Sequence, residues 1–183
     1  MRDAKGEILK FWFEETKPAQ WFQKNPDFDN DIRARFMGDY TMAMADIYDG
    51  WMDDAKGCLA LIILLDQFPR NMFRGSPDMF ASDNKALKIA NHAVVKKFDT
   101  MMNINEKVFL YLPFEHSEDL NDQEVSLKLF EPTKDADPTY YTYAKRHYDV
   151  IKKFGRFPHR NEILDRQSTK LEQEYLARPD SGF

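Results

Sequence analysis

Phe28, Ile32, Phe36, Tyr40 and Met44 recur every four residues, and this spacing constrains the fold more than any other feature of the chain. Side chains four apart lie on one face of an α-helix, whereas a strand repeats every two. The segment opens with Asn25-Pro26, a side-chain cap followed by a residue whose missing N–H is harmless in a first helical turn. The same pattern returns along the chain. Asp137-Pro138 starts a segment in which Tyr140, Ala144, Tyr148 and Ile151 share a face, and Gly155 supplies its stop. Ser82 or Asp83 caps a helix that buries Leu87, Ala90 and Val94, and Thr169 with Glu172 forms a capping box for a last helix. From Leu59 to Leu65 the chain is apolar on every side, which predicts a helix through the centre of the core, stopped by Pro69. Val108, Phe109 and Leu112 line another, which Pro113 ends or kinks. The expectation is an all-α bundle of about seven or eight helices, forming a single domain over residues 1–183.

Composition supports this and narrows function. Fifteen Phe, eight Tyr and three Trp in 183 residues predict an aromatic core, and seven Gly are too few for the turns of an all-β chain. The net charge of −5 excludes broad electrostatic attraction to nucleic acid or to an anionic membrane. The run Cys58–Leu65 is far shorter than the ~20 apolar residues that span a bilayer. The first ten residues mix charges and lack the basic-then-apolar pattern of a secretory leader, so a cytoplasmic location is expected. Cys58, the single cysteine, cannot form an internal disulfide and reads as a small buried hydrophobe.

Several long motifs interrupt this plain helical text. "LDQFPRNMFRG" (65–75), "FLYLPFEHSEDLNDQE" (109–124), "FGRFPHRN" (154–161) and the closing "SGF" closely resemble a bacterial family catalogued as domain of unknown function 924, and the likeness runs from "ILKFWF" (8–13) to the C-terminus. The resemblance implies a tetratricopeptide-like fold in which helices pack in pairs. It brings no activity, cofactor or catalytic set, and the tetratricopeptide signature spacing itself is not present in this chain.

The motifs place charge beside core residues, where an ion is costly unless paired. The acidic candidates are Asp66, Glu115 and Glu118, with Asp119 alongside. The basic ones are Arg70, Arg74, Arg156 and Arg160, with His116, His147 and His159 able to add charge. Two readings of this set stay open. In one, ion pairs lock helix ends together. In the other, a pocket keeps an arginine for a carboxylate or phosphate, and a histidine with Glu115 does acid–base work. The two stretches around Pro113 and Pro158 are expected to meet, with Glu115 or Glu118 against Arg156 or Arg160. Metal-binding helices present ligands three or four apart, as in His-Glu-x-x-His, and that pattern is missing; no metal or cofactor is expected. Gly-x-Ser-x-Gly and phosphate-binding glycine loops are missing too, and Ser117 reads as a helix cap. The function classes left are a binding or scaffold module with a protein partner, and a small-molecule enzyme or sensor with a small anionic ligand.

Overall fold

The computed structural model describes residues 2–179, 181 and 182. Along the chain these form α1 (Ala4–Lys10), the short α2 (Pro18–Trp21), α3 (Pro26–Met44), α4 (Ala55–Ile62), the short α5 (Phe68–Met72), α6 (Asp83–Val95), α7 (Ile104–Glu115), α8 (Leu120–Phe130), α9 (Pro138–Phe154) and α10 (Lys170–Leu176). No described residue lies in a strand. The helices from α3 onward, apart from α5, match the expected set; α1, α2 and α5, of four to seven residues, are additions too short to show a clear period. The described residues group into two compact units, one running up to Arg74 together with Asp78–Pro113, the other comprising Gly75–Pro77 and the chain from Phe114 onward.

In the first unit the residues from Cys58 to Leu65 are all fully buried, as an all-round apolar helix requires. Aromatic rings fill the space about them: Phe36 and Phe68 lie 4.8 Å apart, Trp12 and Phe68 5.6 Å, Trp21 and Phe109 4.9 Å between centroids. Asn25 caps α3 by accepting from the N–H groups of Asp27 and Phe28. Along that helix Phe28, Ile32, Phe36 and Tyr40 are buried while Met44, at the end of the row, is exposed.

Pro69 does not stop the central helix. The turn Ile63–Gln67 is π-helical, and Pro69 falls in the first turn of the α5 segment that continues it. Proline has no N–H to give the preceding turn, and in that turn the Leu65 carbonyl accepts from the buried Ser82 hydroxyl at 2.5 Å. Ser82 therefore precedes α6 without using its side chain as a cap. In α6 the fully buried positions are Ala86, Ile89, Ala90 and Ala93, one step round from the expected Leu87 and Val94, which are half-buried. Pro113 likewise sits inside α7 rather than at its end.

In the second unit α8 packs against α9. Val150, Ile151 and Phe157 form a buried apolar cluster with Phe154 and Tyr175 against it. Asp137 caps α9 through the Thr139 N–H, and Gly155 ends it at φ +69°, a left-handed conformation that suits glycine. On the buried side of α9, Ala144 and Ile151 are joined by His147 and Val150, whereas Tyr140 and Tyr148 are half-buried. The cap of α8 is Asp119, accepting from Asn121 N–H. Ser117, expected in that role, stands behind it: its hydroxyl donates to Asp122 and accepts from Asp119 N–H. The capping box of Thr169 and Glu172 forms at α10.

Candidate functional site

Of the ten candidate residues, Asp66, Arg70 and Arg74 belong to the first unit and the other seven to the second. Asp66 lies in the π-helical turn, fully buried, and accepts from Gln67 Nε2 at 2.5 Å. One turn on, Arg70 donates to the Asp66 carbonyl at 2.7 Å, reaches its carboxylate at 3.5 Å, and forks onto Asp83 at 3.0 and 3.2 Å. Arg74 makes a second fork, onto Asp29 at 2.6 and 2.8 Å, and Asn71 donates to the same carboxylate at 2.8 Å. Burial alone would raise the Asp29 carboxyl, but the Arg74 and Asn71 hydrogen bonds outweigh it and hold the group below the ordinary aspartate range. The polar residues of "QFPRNMFR" thus tie the α5 segment to the starts of α3 and α6. Neither acid stands out in the sequence as an arginine's partner, because Asp29 looks like an ordinary first-turn acid and Asp83 like a cap.

The motif stretches of the second unit meet. Phe157 N–H donates to Glu118 Oε1 at 2.8 Å, and Arg160 Nη2 donates to the His116 carbonyl at 3.0 Å. Glu118 takes an arginine from outside the expected set. Glu118 is gripped bidentately by Arg166 at 2.7 and 3.0 Å, and Arg166 also donates to the Phe157 carbonyl at 3.0 Å. Burial would raise the Glu118 carboxyl; the Arg166 fork and the Phe157 N–H more than offset this and leave it lowered. Arg156 does not turn to Glu115 or Glu118. It forks onto Glu172 at 2.6 and 2.8 Å and donates to the Gln167 carbonyl at 2.8 Å, because the chain between them closes a short loop around the α10 capping box. That fork holds the Glu172 carboxyl down to about 2.

The histidines gather around Phe157. The His147 and His159 rings each lie 5.5 Å from the Phe157 ring, the Arg160 guanidinium sits 4.5 Å over it, and His116 lies 6.3 Å from His147. His147 Nδ1 is 2.9 Å from the Tyr143 carbonyl and 3.0 Å from Glu115 Oε1. A carbonyl only accepts, so Nδ1 carries the proton. Burial pushes His147 well below the usual 6.5, with His116, Arg160 and His159 adding to the effect against the opposing Tyr143 carbonyl. Burial and then Arg160 push His159 down to about 4. Beneath this turn Gln123, fully buried, donates to the carbonyls of Glu115 and Ser117, both at 2.7 Å.

Among the described residues no group of three or more His, Cys, Asp or Glu is arranged to hold a metal ion. A hollow of about 350 Å³ in the first unit is lined by Arg2, Asp3, Ala4, Lys5, Tyr48 and Trp51, and none of the ten candidates reaches it. Its cations are matched, Arg2 by Glu7 and Asp39 and Lys5 by Asp54. Cys58 is buried, and burial pushes its thiol up to about 11, away from nucleophilic use. No described helix is long and apolar enough to cross a membrane.

Comparison with known proteins follows the motifs. The family model described as a bacterial protein of unknown function (DUF924) matches residues 8–180. A solved structure of a protein of unknown function from Agrobacterium tumefaciens is 40% identical, superposes with a TM-score of 0.89, and is covered over 94% of this chain and 96% of that one. No curated protein matches the chain.

Proposed function

We propose a binding or scaffold role for this chain, which belongs to the DUF924 family of bacterial proteins of unknown function. The observation that supports it is how the motif charges are used. Arg70, Arg74 and Arg156 each fork onto a carboxylate of another element, and the motif residue Glu118 receives the fork of Arg166, so the longest motifs read as joints that make the helices rigid. Rigid joints suit a module that presents a surface. Helix-pair packing of the tetratricopeptide kind, a cytoplasmic location and a protein partner belong to the same proposal and rest on the sequence. Large apolar side chains that stand in solvent, such as Phe22 and Ile47, are the places to look for the partner.

A photo-reactive residue at position 47, whose N–H donates to the Met42 carbonyl, tests the reading in cells. The expected result is one discrete adduct, lost when the neighbouring surface is charged by Met42→Asp or Met44→Asp. The competing small-anion reading makes the opposite demand. A phosphate or carboxylate that raises the melting temperature of the wild type in a saturable way, and does not do so with Arg160→Ala, overturns the scaffold proposal.

A further inference from the structure

Two exposed apolar patches of the first unit carry opposite charge. One lies where α3 ends. Met42, Met44 and Ile47 stand in solvent there, Ile47 at 59% exposure, and the Ile47 N–H donates to the Met42 carbonyl and keeps these residues together. From Met42 to Asp54 the chain holds Asp46, Asp49, Asp53 and Asp54, all exposed, and no Lys or Arg. The other patch lies where α6 ends. Val95, 74% exposed, and Met101, 65% exposed, flank the exposed Lys96 and Lys97. Between Lys88 and Met101 the one acid is Asp99, which accepts from the Tyr111 hydroxyl at 2.8 Å. Lysines suit a last helical turn, but the dipole gives no reason for a bare Val and Met beside them. Apolar side chains grouped on a surface and rimmed by charge mark interaction sites.

α6 separates the two patches. Near its start Lys85 donates to the Ala43 carbonyl at 2.6 Å and pairs with Asp46, and with Asp49 at 3.3 Å, so the acidic patch sits at this end. Val95 is the last residue of the helix, ten residues and about 15 Å further along its axis. The Asp46 and Asp49 carboxylates stay more than half exposed. Ion pairs so open to water hold weakly, and both acids keep oxygens for a further cation.

We propose that the protein associates with itself head to tail: the acidic apolar patch around Ile47 of one copy receives the basic apolar patch around Val95 of the next. Charge selects this arrangement. Two acidic or two basic patches brought face to face set like charges together, which is costly; acid against base adds attraction to the apolar contact. Since the joined surfaces differ, each end of the assembly keeps an open patch, and the contact builds rings or filaments rather than a two-fold dimer. Self-association of this kind rests on the binding role proposed above and names the occupant of the Ile47 surface.

Sedimentation velocity of the purified chain at rising concentration tests it, together with a photo-reactive residue at position 47 in a mixture of isotope-labelled and unlabelled protein. The expected results are species larger than a dimer and a cross-link from position 47 to segment 95–101 of another copy. Ile47→Asn and Val95→Asn, both at exposed positions, are each expected to weaken association at least about tenfold. Mixed one to one, the two variants associate again as far as the dimer and no further, because a single intact pair of patches remains. Three results overturn the proposal: a monomer throughout the micromolar to millimolar range, a cross-link from position 47 to the Ile47 patch of the other copy, or a mixture of variants that associates no better than either alone. A monomeric chain that still forms a discrete adduct with a different protein at position 47 in cells rejects the self-association and leaves the binding role standing.

Discussion

Arg166 shows how much one side chain can hold in this protein. It neutralises Glu118 through two short bonds and takes the Phe157 carbonyl with the same guanidinium. Charge-assisted forks of this kind are the strong hydrogen bonds of proteins. Arg166→Ala is therefore expected to destabilise the fold by about 2 kcal/mol, and Arg166→Lys to recover only part of this, because an ammonium cannot form the fork. Chemical denaturation of the two variants against the wild type checks both values. Ser82 does similar work with less. Its buried hydroxyl donates to the Leu65 carbonyl in the π-helical turn, so Ser82→Ala is expected to cost about 1–3 kcal/mol. An unchanged denaturation midpoint in Ser82→Ala means the carbonyl has another donor.

At the scale of elements, caps and close approaches decide where helices begin. The turn Asp49–Asp53 leads into α4, and Asp54 caps the helix by accepting from Gly57 N–H at 2.8 Å. A Cβ on Gly57 would stand 1.9 Å from the Trp51 carbonyl oxygen, a backbone atom that cannot swing aside. Gly57→Ala is expected to destabilise by about 2 kcal/mol or more, while Gly38→Ala, with open space around its Cβ in the middle of α3, is expected to stabilise by about 0.5–1 kcal/mol. Thermal melts of the pair read both signs in one experiment. The π-helical turn before α5 follows the same logic, since it lets an apolar helix pass a proline and continue.

At the scale of the whole molecule the buried ionisable groups set the pH range of stability. His159 is depressed to about 4 and His147 well below 6.5. A group whose folded pKa lies below its unfolded one gives stability that is complete above the unfolded value and is lost as pH falls towards the folded one. The melting temperature is therefore expected to be flat above about 6.5 and to fall below it. A second loss follows below the ordinary carboxylate range, as the lowered Glu118 and Asp29 take up protons. A melting temperature that rises between pH 6.5 and 5 contradicts both histidine shifts. The expectation of a single domain is also thermodynamic: one calorimetric transition with equal calorimetric and van't Hoff enthalpies supports it, and two separate transitions reject it.

Sequence alone determined the helices and most of their ends, because caps, prolines and a four-residue period act over one or two turns. Asn25, Asp137, Gly155 and the Thr169–Glu172 box stand where the local chemistry put them. It also showed that the charged motif residues needed partners, since each sits beside core side chains. Which partner each takes was decided only by tertiary structure. Arg156 and Glu172 are 16 residues apart, Glu118 and Arg166 48, and Arg74 and Asp29 45. An arginine accepts any carboxylate within reach, so residue type carries no address; packing of the helix ends supplies it. The same holds for Ser82, a cap by its sequence position and a donor to Leu65 in the fold. Local rules favour the cap, and packing brings the Leu65 carbonyl to the hydroxyl instead.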